Sequence, residues 1–169
     1  VLYSTAKKIS IVNNIEGRGG ISKFLIEDGI TDLDYYISQY DAAIRFVDEQ
    51  IGVIQRKIKD LNLEKKTFII ITADHGEALG EHNFFLVHAH ALYDEFIRVP
   101  LIMKLPREAV TAKIVNQQVQ LIDIAPTTLE VVGIANNYNM KGLSLISLIS
   151  AGNNGYERRN AFSTAGIMS

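Results

Sequence analysis

Thr67-Phe68-Ile69-Ile70-Ile71-Thr72-Ala73-Asp74-His75-Gly76-Glu77 is the stretch whose reading decides the fold. Its first six residues form a continuous β-branched and aromatic run, which suits a central strand covered on both faces by helices. The polar Asp74-His75-Gly76 follows at once. In open α/β sheets functional side chains collect just past the carboxyl ends of strands, because there the backbone leaves the ladder and can aim side chains into a crevice. A carboxylate beside an imidazole offers a divalent cation one hard oxygen and one borderline nitrogen, while Gly76 lets the chain turn tightly around the site.

Upstream of this strand the apolar residues Tyr40, Ile44, Val47, Ile51, Ile54, Ile58 and Leu61 advance in steps of four and three and trace one stripe along a helix. Asp32 or Asp34 is placed to cap its start, and Asn62 sits where a left-handed terminating residue is common. With only about three heptads the stripe predicts a core-facing helix packed on a sheet rather than a coiled-coil seam. The first thirty or so residues, with Asn13-Asn14, Gly17, Gly19 and Gly20, predict loop with one short strand near Lys8 to Val12.

Downstream, Val99 to Leu105, bracketed by Pro100 and Pro106, predicts a second strand, and the alternation of Ile114, Val115 and Val119 across Lys113 to Gln120 predicts a third. Asp123-Ile124-Ala125-Pro126 has the form of a helix start, Asp123 as cap and Pro126 in the first turn, running to a stop at Gly133. Helix and strand thus alternate, which argues for an α/β domain with a largely parallel sheet. No internal repeat or Pro/Ser-rich linker divides it.

Composition sets the outer bounds. A chain of 169 residues with 47% apolar residues is long enough for one domain with a sizeable core. Lys and Arg number 17 against 19 for Asp and Glu, and the net charge of −2 predicts no long-range attraction to nucleic acid or anionic lipid. Any anion site must then be local. The absence of cysteine removes disulfides, thiolate metal ligands, a cysteine nucleophile and any cue to the redox compartment. No stretch approaches membrane-spanning length, and Val1 to Ile11 lacks the apolar core and cleavage pattern of an export signal. A start at valine and an end at Ile167-Met168-Ser169, just after an apolar stretch, suggest a piece of something longer.

All four histidines, His75, His82, His88 and His90, fall within sixteen residues, in company with Glu77, Glu81, Asp94 and Glu95. Histidines in a polar surface loop usually do nothing special. Their place after a buried strand shifts the balance towards ligation.

Ile70-Ile71-Thr72-Ala73-Asp74-His75-Gly76-Glu77, Leu79-Gly80-Glu81-His82, His88-Ala89-His90-Ala91-Leu92-Tyr93-Asp94-Glu95 and Ile97-Arg98-Val99-Pro100-Leu101-Ile102 closely resemble the sulfatase family. Tyr40-Asp41-Ala42-Ala43-Ile44, Leu121-Ile122-Asp123-Ile124-Ala125-Pro126-Thr127 and Gly142-Leu143-Ser144-Leu145 extend the likeness in the right order from about Tyr36 to Ile149. The resemblance implies the three-layer, alkaline-phosphatase-like α/β/α fold, incomplete in this chain. Residues 1–35 then form a loop-rich lead-in, 36–149 the matching region, and 150–169 the start of a further strand or loop of one partial catalytic domain.

The resemblance further implies metal-dependent hydrolysis of sulfate esters. Asp74 corresponds to a metal ligand, and His75 stands where many members have asparagine, contacting the metal or the ester oxygen. Calcium is the metal the family implies, and an imidazole nitrogen at position 75 would suit manganese or zinc better. A basic residue that holds a sulfate oxygen precedes the family's Tyr-acid pair, and His88 and His90 are both candidates for it. His88, His90 or His75 would protonate the leaving alcohol. Arg98 matches a recurrent arginine whose plainer role is an ion pair with Asp94 or Glu95. The family's formylglycine nucleophile arises from Cys or Ser followed by Pro, Ser and Arg, and no such run occurs here, so nucleophile and first aspartate ligands are expected in a missing amino-terminal part of the domain. A phosphonate or phosphate-ester hydrolase, or a transferase of phosphoethanolamine or glycerol phosphate, is the alternative within the superfamily, and a non-catalytic binding module the alternative outside it.

Overall fold

The structure is a computed structural model that describes residues 7–88, 91–106, 113–135, 138–150 and 160–164. Contacts divide the chain into two compact units: Val1–Asn62 with His75–Pro100 and Thr164–Ser169, and Leu63–Asp74 with Leu101–Ser163.

In the first unit, β1 (Ile11–Val12) pairs parallel with β2 (Ile21–Ser22), Ile11 opposite Ile21 and Val12 opposite Ser22. The expected strand near Lys8 to Val12 is therefore present, but its surroundings are more than loop. Ile9, Ile21, Leu33, Tyr36 and Phe85 are buried together as a core. Single bridges tie Lys8 to Asp32 and Arg18 to Phe84.

Helix α1 (Leu33–Asp60) starts where the cap residue predicts: the Asp32 carboxylate accepts the Asp34 N–H at 3.1 Å, satisfying a donor the helix leaves open. Lys57 and Lys59 lie in its last turn, favourable against the negative end of the helix, and Asn62 follows in the left-handed region at φ 54°. The expected burial of its stripe is corrected. Leu33 and Tyr36 are buried, whereas Ile44, Val47, Ile54 and Leu61 are exposed, Val47 at 55% and Ile54 at 60%. Periodicity identifies which face of a helix is apolar, but burial requires a partner, and only the first turn meets the core of β1 and β2.

The stretch that carries His82, to which the sequence pattern assigns no element, is a small hairpin. Strand β4 (Ala78–Leu79) pairs antiparallel with β5 (Phe85–Val87) around a 3-10 turn at Glu81–Asn83. A one-turn helix, α2 (Asp94–Ile97), follows. Ala78, Phe84, Val87 and Phe96 bury one another beneath it.

In the second unit, β3 (Ile69–Thr72) is the strand expected from the apolar run, and it pairs with β6 (Leu101–Lys104), Ile69 opposite Lys104 and Thr72 opposite Leu101. The pairing is antiparallel, so among the described residues the largely parallel sheet is represented by β1 and β2 alone. An apolar run does not encode direction; a parallel return needs a crossover, usually helical, and the connection here is a hairpin with one helical turn. Nor is β3 buried on both faces: Ile69 to Ile71 are half-buried and Thr72 is exposed. The expected third strand, Lys113 to Gln120, does not form. It runs without a ladder, Ile114 being 87% exposed.

The helix expected from Asp123 is α3 (Ile124–Val131), preceded by a 3-10 turn at Leu121–Asp123 and ended by Gly133 at φ 74°. Asp123 does not cap it as expected. Its carboxylate instead accepts the backbone N–H groups of Gln120 and Leu143, both at 2.9 Å. The Thr127 hydroxyl donates to the Asp123 carbonyl and accepts the Leu145 N–H at 3.0 Å. Residues 143–145 are thereby stapled over buried Asp123 and Thr127, and Gly142 is required there because a Cβ would overlap the Ile122 carbonyl. Helix α4 (Ile146–Ser150) continues from the staple.

Candidate active site

The hairpin explains how two distant acidic and basic residues meet. Ala78 lies opposite Val87, so the flanking residues Glu77 and His88 become cross-strand neighbours. His88 Nδ1 stands 3.4 Å from Glu77 Oε1, long for a hydrogen bond and suited to an ion pair when the ring is protonated. The His75 ring stacks on His88 with centroids 4.0 Å apart and planes inclined by 19°. His75 Nδ1 lies 2.9 Å from the Gly76 carbonyl oxygen. A carbonyl can only accept, so Nδ1 carries the hydrogen and Nε2 is the acceptor nitrogen of the ring.

Gly76 earns its place in this turn. Its N–H donates to the Phe96 carbonyl at 2.8 Å, and a Cβ there would overlap the carbonyl oxygen of Glu95. The backbone just after His75 is therefore pressed directly onto α2.

At the other end of the hairpin His82 stacks flat on Tyr93, centroids 3.7 Å apart and planes within 9°, while its Nε2 lies 3.6 Å from Glu95 Oε1. The exposed Arg98 makes no ion pair with Asp94 or Glu95 among the described residues, contrary to expectation. Glu95 turns instead to His82. This grouping was not foreseen from the sequence; the only signal was Gly80-Glu81-His82 inside the family-like run.

Of the residues expected at the site, His75 and His88 are brought together. Asp74 lies two residues past the end of β3 and is exposed. His90 lies outside the described residues. Among the described residues no cluster of three or more His, Asp or Glu could hold a metal by itself. In chemical type, Asp74 offers carboxylate oxygens and His75 an imidazole nitrogen, donors that suit a divalent metal. No helix is long and apolar enough to cross a membrane among the described residues.

Comparison with known proteins bears on the same stretch. The sulfatase family model matches residues 6–134. Arylsulfatase K of Mus musculus is 38% identical over 111 residues, covering 66% of this chain and 20% of that protein. The N-acetylglucosamine-6-O-sulfatase of Bacteroides thetaiotaomicron is 32% identical over 111 residues, covering 65% of the chain and 19% of that protein. The chain thus spans about a fifth of the length of the curated relatives it matches. Among solved structures, a phosphonate monoester hydrolase from Silicibacter pomeroyi superposes with a TM-score of 0.61 at 28% identity, over 66% of this chain and 22% of that one. A Bacteroides thetaiotaomicron protein described as a sulfatase superposes with a TM-score of 0.63 at 22% identity, over 74% of this chain and 27% of that one.

Proposed function

The chain belongs to the sulfatase family and carries part of its alkaline-phosphatase-like α/β fold, and from that premise we propose that it is the carboxy-terminal part of the catalytic domain of a sulfate-ester hydrolase. The observation that carries the reading is the stacked His75–His88 pair with Glu77 behind it. In this reading Asp74 and His75 are two ligands of a divalent metal, calcium by family resemblance with manganese or zinc as alternatives. Such an ion, when bound, polarises ester oxygens and stabilises the charge that develops on them.

The chain's own residues then do three things. Asp74 supplies negative charge just past the end of β3, which a bound cation would offset. His75, its tautomer fixed by the Gly76 carbonyl, presents Nε2 in one orientation. His88, held through Nδ1 by Glu77, keeps Nε2 available to hold an ester oxygen or to protonate the departing alcohol. His90 stands beside it in sequence as a second candidate for either role. The nucleophile and the remaining ligands belong to the part of the relatives' length that this chain does not span.

The test uses the longest natural protein carrying this chain, assayed on 4-nitrophenyl sulfate and on a phenyl phosphonate monoester. Asp74→Ala, His75→Ala and His88→Ala are each expected to lower kcat/KM on the preferred ester by about 100-fold or more. Full activity in all three would refute the site. The phosphonate arm addresses the second reading, favoured by the Silicibacter pomeroyi hydrolase among the structural relatives, and a preference for that ester would establish it.

A further inference from the structure

Resting on that reading, we infer that His82, Tyr93 and Glu95 form a positioning device that holds the hairpin and α2 in the arrangement that stacks His75 on His88. The turn bearing His82 is held in an uncommon conformation: Gly80, His82 and Asn83 all have positive φ, at 124°, 49° and 65°. Histidine and asparagine enter the left-handed region more readily than most residues, yet such a turn persists only when its surroundings over-determine it. Here they do. Tyr93 covers one face of the imidazole, Glu95 Oε1 faces its Nε2, and Phe84 and Phe96 pack edge-to-face at 5.7 Å behind.

Helix α2 is consequently gripped on two sides. One side is the His82 contact at the hairpin tip; the other is Gly76, whose N–H is bound to Phe96 and whose missing Cβ admits the Glu95 carbonyl. Because Gly76 follows His75 directly, and His88 follows β5 directly, any slip of α2 against the hairpin moves the two imidazoles relative to each other. Glu95 is the shared part: its side chain meets His82 while its main chain meets Gly76. Its Oε2 is buried without a hydrogen-bond partner, so the carboxylate is kept in place by the His82 contact rather than by a network of its own. His82 and Glu95 are therefore positioning residues, acting through His75 and His88.

The experiment again uses the longest natural protein carrying this chain, with histidine labelled at Cε1 and the His75 and His88 resonances assigned by substitution. His82→Asn preserves the left-handed backbone while removing the ring, Glu95→Ala removes the carboxylate, and Glu95→Gln keeps its shape and an acceptor oxygen. His82→Asn and Glu95→Ala are expected to move both resonances towards their unstacked positions and to lower kcat on 4-nitrophenyl sulfate about tenfold, with KM within about twofold. Glu95→Gln is expected to restore most of both. His82→Phe, which keeps an aromatic ring to stack on Tyr93 and loses both ring nitrogens, serves if His82→Asn fails to fold, and should show a smaller movement of the same kind. Unmoved His75 and His88 resonances in the folded variants would overturn the inference, whatever the activity. If the wild type cleaves neither ester, the proposed function fails, and the resonances still decide whether the device positions the two rings.

Discussion

Replacing Asp123 with alanine should loosen the second unit from one identifiable point. The side chain is fully buried, and its two carboxylate oxygens accept the N–H groups of Gln120 and Leu143, each at 2.9 Å. A hydrogen bond to a charged group contributes about 1.5–3 kcal/mol, so losing both costs about 3–6 kcal/mol and leaves two part-buried backbone donors without these acceptors. That is a large share of the roughly 5–15 kcal/mol that holds a typical domain folded. Asparagine keeps one acceptor and turns an NH2 towards the other donor, for a loss of about 2–3 kcal/mol. Thr127→Val removes the acceptor for Leu145 and should cost about 1–3 kcal/mol. Urea denaturation measures the totals. Amide exchange locates them: Leu143 and Gln120 should lose protection in Asp123→Ala, Leu145 in Thr127→Val. A loss below about 1 kcal/mol in Asp123→Ala, with Leu143 still protected, would refute the staple.

Two further perturbations probe the first unit. Tyr35 donates to Glu27 Oε2 at 2.8 Å, and that hydrogen bond, followed by desolvation and the Glu27 charge, raises its phenol above the ordinary tyrosine value. A raised folded-state value means that the contribution is fully present below the unfolded tyrosine range near about pH 10 and is lost as pH climbs through the raised one. Tyr35 should ionise above the ordinary tyrosine range in an NMR titration, and Glu27→Ala should lower its midpoint towards that range; an unmoved midpoint refutes the assignment. The exposed stripe of α1 predicts concentration-dependent association of the isolated chain in size-exclusion chromatography, reduced by Ile44→Lys with Ile54→Lys. In the longer protein the same pair should lower Tm by several degrees, because there the stripe would be covered; no effect in either setting would contradict that role.

What was legible in the sequence was local. The steps of four and three along α1 and the carboxylate at Asp32 depend on neighbours within a turn or two, and the helix begins where they place it. The burial of that helix was not legible, since covering an apolar face is a property of what packs on it. Lys113 to Gln120 shows the same limit for strands: alternation implies two faces only where a ladder exists, and none forms there. Asp123 was recognised as a helix-start residue, but its carboxylate bonds to Leu143, twenty residues downstream, a partner no local pattern announces. For the site, residue types in order named Asp74, His75, His88 and His90 as candidates, whereas the stacking of His75 on His88 and the His82–Glu95 contact depend on the hairpin.

That hairpin depends on one irregularity. Ala78 faces Val87 and Leu79 faces Phe85, so one step along β4 matches two along β5, and Leu86 is the extra residue, held at φ 55°. A bulge of this kind is costly for leucine, which has no side-chain reason to adopt a left-handed backbone. Its effect falls on the next pair out, Glu77 and His88. Without the extra residue the register would move by one, and successive side chains on a strand point to opposite faces, so His88 would turn away from Glu77 and from the His75 ring. The same small distortion thus explains why Glu77 meets His88 Nδ1 on the face where His88 stacks on His75. A strained leucine between two ordinary strand residues is the backbone cost of aiming two imidazoles at one place.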